Sequence, residues 1–353
     1  MSLAHSALRR LPPEAAHREA LRLARVAAQI PGVLGLLERR YALRDPRLAT
    51  RAFGLAFATP LGLAAGYDKD AVATDAIFAL GFGHVEVGTV TRRPQPGNEG
   101  ERLFRVPEAR ALINRLGFPN EGVDAMARRL SARSHPGILG VNVGKNKDVP
   151  LEEAPAEYAA LYRRVAPFCD YVTVNVSSPN TEGLRSLQNA RMLEGLLSAV
   201  VAARAAVPEK RPILVKIAPD LDEAELDAVA EAALSSGVDG VVATNTTLSR
   251  EGLPAYAKGY TGGLSGAPLE RRSLEVLRGL SRRIQGKIAL VGVGGISTAD
   301  HVVARLRAGA SLVQLYTALI YEGPALARHI HEGLLEACRV HGVTRVADLV
   351  GVG

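Results

Sequence analysis

Between residues 61 and 317 the chain repeats one rhythm: a short apolar or β-branched run, a turn rich in Gly, Asn and Ser, and, between several runs, a helical stretch. The runs occupy 61–66, 84–90, 138–144, 171–178, 213–219, 240–246, 288–295 and 311–317. They are continuous in Val, Ile and Leu, not alternating, which suits parallel strands covered on both faces. Helical patterns such as 222–234 and 298–308 supply crossovers. Eight strands with helical crossovers predict an α/β fold, a (β/α)₈ TIM barrel with a small N-terminal helical extension. The alternative is a doubly wound sheet, which usually has fewer strands and one dominant phosphate loop.

Two connections are too long for a plain barrel, 91–137 and 247–271. Both leave C-terminal strand ends, where barrel active sites lie, and so read as lids or binding loops. The segment 51–59 alternates around Gly54 and reads either as a hairpin plugging the opposite end or as a plain linker.

At 353 residues, 47% hydrophobic and 22% charged, the composition excludes disordered, collagen-like and disulfide-rich chains. The longest stretch free of charge and histidine, 52–67, is short for a bilayer crossing and contains Pro60. No signal-peptide pattern is visible. Cys169 and Cys338 have no ligand or CxxC spacing, which suggests a reducing, cytosolic setting.

The N-terminal end differs in character. Residues 1–51 hold ten arginines against four acidic residues, +6 of the chain's net +7. A basic end on a nearly neutral body points to an anionic partner, nucleic acid or phospholipid headgroups. Pro12-Pro13 starts a helix in which Ala16, Ala20, Leu23, Ala27 and Ile30 share one face, with Arg18, Arg22, Arg25 and Gln29 opposite. Pro31-Gly32 breaks it before a second short helix over 33–41. Two readings fit: an interfacial membrane anchor, or a helical pair packed on the barrel with its basic face in solvent.

The predicted strand ends are rich in residues that bind. They include Gly66 and Lys69; Thr89; Asn142; Asn175, Ser178 and Asn180; Lys216; Thr244, Asn245 and Thr246; Gly294 and Gly295; and Tyr316 and Thr317. Such convergence is what a barrel active site requires. Glycines ending the seventh strand, followed by Ser297-Thr298 as an N-cap, and the glycines of 262–266 leave backbone N–H groups for a phosphate. Asparagines 114, 142, 175, 180 and 245 suit a planar ring edge of alternating C=O and N–H groups, a pyrimidine or a flavin. Lys69 and Lys216 end apolar strands, where an unpaired ammonium is costly, and so face an anion or a carboxylate such as Asp68 or Asp220. There is no metal-ligand spacing and no Ser-His-Asp arrangement.

With these residues the sequence resembles the class 2, quinone-linked dihydroorotate dehydrogenases. The matching motifs, in family order, are LAAGYDKD (63–70), EVGTVTRRPQPGN (86–98), INRLGFPNEG (113–122), NVGKNKD (142–148), NVSSPNTEGLR (175–185), VKIAPDL (215–221), ATNTT (243–247), TGGLSG (261–266), VGVGGI (291–296) and LVQLYT (312–317). PPEAAHREA (12–20) is similar to the class 2 N-terminal pattern. Tyr67 departs from it, standing where a smaller apolar residue is more usual.

The resemblance implies FMN in the barrel mouth and oxidation of dihydroorotate to orotate in pyrimidine synthesis. FMN would contact Ala65, Gly66, Lys69, Thr89, Asn142, Asn175, Lys216, Thr244, Gly266, Gly295, Tyr316 and Thr317. The substrate would contact Lys69, the loop Asn114, Arg115, Leu116, Gly117 and Phe118, then Asn175, Asn180, Asn245 and Thr246. Ser178 is the class 2 base, assisted by Thr181 and a water under Phe118. His17, Arg105 and Tyr316 would line a quinone tunnel formed with residues 1–44, the barrel being 45–353. A peripheral site on the cytoplasmic face of the membrane, an anionic lipid surface and membrane quinone as partner, and no nucleic-acid role follow. Two other readings are a lyase or aldolase using Lys69 or Lys216 as a Schiff-base amine, and a nucleic-acid binder using the arginine-rich end. The second lacks an aromatic stacking platform and any recognisable binding module.

Overall fold

The computed structural model describes residues 8, 10–133 and 137–352. Two helices come first, α1 (Pro13–Gln29) and α2 (Val33–Tyr41), then a hairpin of β1 (Thr50–Ala52) and β2 (Leu55–Phe57). The chain continues through β3 (Leu61–Leu63), α3 (Thr74–Phe78), β4 (His84–Val90), β5 (Leu103–Val106), β6 (Ala111–Asn114) and α4 (Val123–Ser131). Next are β7 (Ile138–Val143), α5 (Ala154–Val165), β8 (Tyr171–Asn175), α6 (Ala190–Ala205), β9 (Ile213–Ile217), α7 (Glu223–Ser236) and β10 (Gly240–Ala243). The last are β11 (Gly263–Gly266), α8 (Glu270–Ile284), β12 (Ala289–Val293), α9 (Ala299–Arg307), β13 (Leu312–Leu315), α10 (Thr317–Glu322) and α11 (Leu326–His341).

The eight predicted runs are the eight strands of a closed barrel, in the order β10-β12-β13-β3-β4-β7-β8-β9, all parallel. The doubly wound alternative falls away. Outward-facing residues such as Val85, Val87, Val141 and Val215 pack with the helices in the main apolar core. The predicted helix over 222–234 forms as α7, opened by a reciprocal cap: Glu225 N–H donates to Asp222 and the Asp222 N–H to Glu225, each at 2.8 Å.

The inside of the barrel is layered. At its N-terminal end Phe53 and Phe57 of the hairpin pack with Tyr171, Leu214, Val242 and Leu312. The Phe53 ring lies 5.4 Å from Tyr171 and the Phe57 ring 5.4 Å from His84. The segment 51–59 is therefore the hairpin plug. Above it Gly62 and Gly140 leave room for large neighbours: a Cβ on Gly62 would lie 2.2 Å from the His84 ring, and one on Gly140 2.1 Å from Tyr171. Higher still the filling turns polar, with Glu86, Thr173 and Gln314 all buried.

The two long connections meet. Strands β5 and β6 from the first and β11 from the second form a three-stranded antiparallel sheet, β11-β6-β5, with Gly263 opposite Asn114. Among the described residues no single helix is long and apolar enough to cross a membrane. Helices α1 and α2 meet the length and composition of a span only together, and they are bent by 116°.

Helix α1 docks beside β5. Glu14 forms an ion pair with Arg102, and Arg105 Nη1 donates to the Leu11 carbonyl at 2.9 Å. Ala16 is buried, and Leu21 and Ala24 pack against the core, while Leu23, Val26, Ile30 and Leu36 are exposed. The predicted apolar arc is thus split: Ala16 faces the barrel, but Leu23 and Ile30 face away from it, beside the exposed Arg18, Arg22 and Arg25.

Gly62→Ala is expected to destabilise the protein by about 1–3 kcal/mol, because its methyl must displace a buried imidazole. Urea denaturation measures this. A midpoint equal to that of the parent protein contradicts the close approach.

Candidate active site

At the C-terminal mouth of the barrel a cavity is lined by the ends of its strands and roofed by residues of the small sheet, including Leu103, Leu112, Asn114 and Ser265. It takes in Ala65, Gly66, Lys69, Thr89, Asn175, Lys216, Thr244, Gly266, Gly295, Tyr316 and Thr317 of the predicted cofactor set. It also takes in Asn114, Leu116, Gly117, Phe118, Asn180, Asn245, Thr246 and Ser178. Five predicted residues lie outside the lining, His17 of α1 among them. Asn142 sits beneath the cavity in a buried network. Arg115 turns away, its Nε donating to the Glu101 carbonyl at 2.8 Å. Thr181 is buried behind Ser178, and Arg105 holds the N-terminal segment.

The asparagines fall into two hydrogen-bonded groups. Asn175 Nδ2 donates to Thr89 Oγ1 (2.9 Å) and to Asn142 Oδ1 (3.1 Å), and Thr89 Oγ1 donates to Asn142 Oδ1 (2.6 Å). Asn245 Nδ2 donates to Asn175 Oδ1 at 3.3 Å and to Ser177 Oγ at 3.0 Å. Across the cavity Asn180 Nδ2 donates to Asn114 Oδ1 at 3.0 Å, yet Asn180 Oδ1 is buried with no hydrogen-bond partner. A buried, unsatisfied acceptor on a cavity wall calls for a donor from a ligand.

Neither lysine is held by a carboxylate among the described residues. Asp68 accepts from the N–H groups of Val72 and Ala73 at 2.9 and 2.8 Å, and Asp220 pairs with Arg185 at 2.7 Å. Among the described residues Lys69 Nζ donates only to the Gly66 carbonyl, at 2.6 Å. Burial pulls its ammonium down from the ordinary lysine value to about 8, partly opposed by Asp70 and Asp68. Lys216 is buried with no hydrogen-bond partner among the described residues, and burial lowers its proton affinity too. Two desolvated cations lining one cavity call for an anion or an electron-rich carbonyl edge.

The glycine clusters let backbone segments pass close to one another at the cavity wall. Gly266 and Gly295 have φ of 102° and 69°, and a Cβ there would fall 2.3 Å from the Arg110 carbonyl oxygen and 2.4 Å from Glu270 Cα. Thr298 caps α9 as predicted, accepting from the His301 N–H at 3.3 Å. Ser178 Oγ is buried on the cavity wall and accepts the Asn180 N–H at 3.2 Å. Phe118, at φ 53°, lines the cavity near Gly144. Among the described residues no cluster of His, Cys, Asp and Glu stands ready for a metal ion.

The sequence profile of the dihydroorotate dehydrogenase family matches residues 47–338. The chain is 52% identical over 351 residues to the dihydroorotate dehydrogenase (quinone) of Streptomyces coelicolor, covering 97% of this chain and 95% of that protein. It is 53% identical over 352 residues to the enzyme of the same name from Streptomyces avermitilis, with the same coverage. The chain belongs to the dihydroorotate dehydrogenase family. The crystal structure of the Eimeria tenella enzyme in complex with ferulenol superposes with a TM-score of 0.91 at 36% identity, covering 100% of this chain and 99% of that one. Its ligand-free form gives 0.89 at 38% identity, covering 97% of this chain and 99% of that one.

Family membership implies a flavin, and the residues fit one. Glycine-exposed backbone lies at one end of the cavity, with Lys216 and the asparagine set on its wall.

Tyr67, the residue that departs from the family pattern, is a contact sequence reasoning missed. Its ring lies edge-on to His17 of α1 at 5.1 Å and edge-on to Tyr316 at 5.8 Å. Three rings thus run from the N-terminal helix to the cavity wall, where Tyr316 donates to the Gly66 carbonyl at 3.4 Å. Burial, aided by the charge of Lys69, lowers His17 to about 3, so it is neutral near pH 7. Only the step from a small side chain to a phenol marked this position in the sequence.

Proposed function

We propose that the protein oxidises (S)-dihydroorotate to orotate in de novo pyrimidine (UMP) biosynthesis and delivers the electrons to a membrane quinone, with FMN as its flavin. The observation that carries this reading is the meeting, in one cavity, of two lysines without a carboxylate partner among the described residues and the unsatisfied Asn180 acceptor. When bound, FMN supplies the two-electron acceptor for the substrate and the donor for quinone. Lys216 would supply positive charge beside the flavin ring, favouring its reduced form. The glycine amides near Gly266 and Gly295, with Ser297 beside them, would hold the phosphate. Lys69 receives the substrate carboxylate. Asn114, Asn180, Asn245 and Thr246 meet the ring edge, and Asn180 Oδ1 accepts a ring N–H.

Ser178 takes the proton from substrate C5. A hydroxyl is a weak base, so its own proton must leave as it accepts another. The Asn180 N–H already donates to Ser178 Oγ, which steadies charge on that oxygen. Thr181 and a water beneath Phe118 form the exit for the proton.

Residues 1–44 serve quinone entry and 45–353 the flavin chemistry. His17, Arg105 and Tyr316 border the path, with Tyr67 between the first and last. Neutral His17 is suited to donate a hydrogen bond to a quinone carbonyl. Leu23, Val26, Ile30 and Leu36, exposed beside arginines, favour an anionic lipid surface over nucleic acid, which has no use for exposed aliphatic side chains. The protein accordingly acts as a peripheral enzyme on the cytoplasmic face of the membrane.

Ser178→Ala is expected to slow anaerobic flavin reduction by dihydroorotate by on the order of 10²–10⁴-fold while FMN stays bound. Near-normal bleaching in stopped flow removes Ser178 as the base. Orotate binding, followed by flavin absorbance, should be constant below pH 7. It should weaken above about pH 8 as Lys69 loses its proton; a flat profile to pH 9 argues against Lys69 as the carboxylate partner. A chain starting near residue 45 should still be bleached by dihydroorotate but should lose quinone reduction and binding to anionic vesicles. Undiminished turnover with ubiquinone or menaquinone excludes a quinone role for residues 1–44.

A further inference from the structure

The barrel interior holds one carboxylate that the chemistry above leaves unused. Glu86, on β4, is 1% exposed and lies below the cavity floor. Four side chains donate to it: Asn142 Nδ2 to Oε1 at 2.9 Å, and to Oε2 Thr173 Oγ1 at 3.0 Å, Gln314 Nε2 at 3.0 Å and Tyr171 OH at 3.3 Å. These donors come from β7, β8 and β13, so the carboxylate ties together strands on several sides of the barrel. No arginine or lysine lies within ion-pair distance of it among the described residues. A carboxylate buried at that depth is costly, and the four converging donors offset that cost.

The geometry connects this charge to the cavity by two routes. Asn142 is the first. Its Nδ2 is committed to Glu86, which leaves Oδ1 to accept from Thr89 and Asn175, both on the cavity wall. The second is electrostatic. Thr173, bonded to Glu86, stands two residues before Asn175 on the inward face of β8, and Asn175 is the register partner of Lys216 on β9. Lys216 has no hydrogen-bond partner among the described residues, and Glu86 is the one charged group whose field favours its ammonium form against burial. The other titratable groups facing Glu86 are Tyr171 on β8 and His84, two residues back on β4. Burial keeps both neutral.

We propose that Glu86 is a positioning residue for the flavin site: a carboxylate held by four donors inside the barrel that favours the cationic form of Lys216 at the cavity wall and fixes the orientation of Asn142. This rests on the flavin reading only for what Lys216 does. The Glu86–Lys216 coupling is a property of the protein alone. The two groups form no salt bridge, and the burial of both weakens the screening between them.

The test is Glu86→Gln in the flavin-loaded enzyme, with the midpoint potential measured from pH 6 to 9. Without the carboxylate, Lys216 should lose its proton at a lower pH than in the parent. The potential–pH plot should then gain a break, above which the reduced flavin is disfavoured about tenfold, ~30 mV for a two-electron couple. Glu86→Asp, which keeps the charge, should show no such break. A Glu86→Gln plot parallel to that of the parent, displaced or not, overturns the proposal, and so does an identical break in Glu86→Asp. A second measurement needs no flavin. In urea denaturation of the apoprotein, adding Lys216→Met to Glu86→Gln should recover stability, or recover soluble folded protein if Glu86→Gln alone does not fold, because it removes the stranded cation. Additive losses, or failure of the double variant to fold as well, overturn the coupling. A protein that takes up no flavin refutes the functional reading, and the stability cycle still decides this inference.

Discussion

Eight parallel strands close into a barrel only if their inward side chains fill the enclosed space, and how this chain fills it governs the rest of the molecule. The lower part is sealed by large rings. Tyr171 and His84 fit because the facing residues, Gly140 and Gly62, have no side chain, and Phe53 and Phe57 close the end. The upper part is not sealed with aliphatic residues. It changes to Glu86, Gln314, Thr173 and Asn142, all buried and mutually hydrogen-bonded. The result is a rigid polar floor beneath an open cavity.

That floor explains how so many amides keep one orientation. An asparagine offers a donor and an acceptor on opposite corners, and nothing in its shape prefers either. The Glu86 carboxylate accepts only, so it commits Asn142 Nδ2 and leaves Oδ1 upward for Thr89 and Asn175. The direction passes from there to Asn245. A network satisfied in this way is preorganised, which is what stabilising developing charge in a water-poor site requires. The two lysines on the cavity wall are left without carboxylate partners, and their charge is available to a ligand.

The N-terminal helices are joined to this machinery by aromatic contacts and by the Glu14–Arg102 ion pair. His17, Tyr67 and Tyr316 form a file of rings from α1 to the cavity. Burial holds His17 neutral, so the file carries no charge that would repel an apolar carrier. The outer side of the same helices exposes Leu23, Val26, Ile30 and Leu36 among arginines. One short segment thus presents two different surfaces, and the break at Pro31-Gly32 with its 116° bend separates its two helices.

The sequence by itself determined the barrel, because runs buried on both faces must be apolar throughout and their spacing leaves room for a crossover helix each time. It also determined most of the cavity lining, since strand-end asparagines, lysines and glycines have no packing role to explain them. Other features were decided only by the tertiary structure. Whether Arg115 and Thr181 face the cavity depends on how a loop turns, which local sequence does not encode. That Leu23 and Ile30 lie outward while Ala16 is buried depends on where β5 and Arg102 receive the helix. Glu86 looked like one more residue of an apolar strand. Its importance comes from four donors and a lysine brought around it by barrel closure, and from the burial that closure imposes.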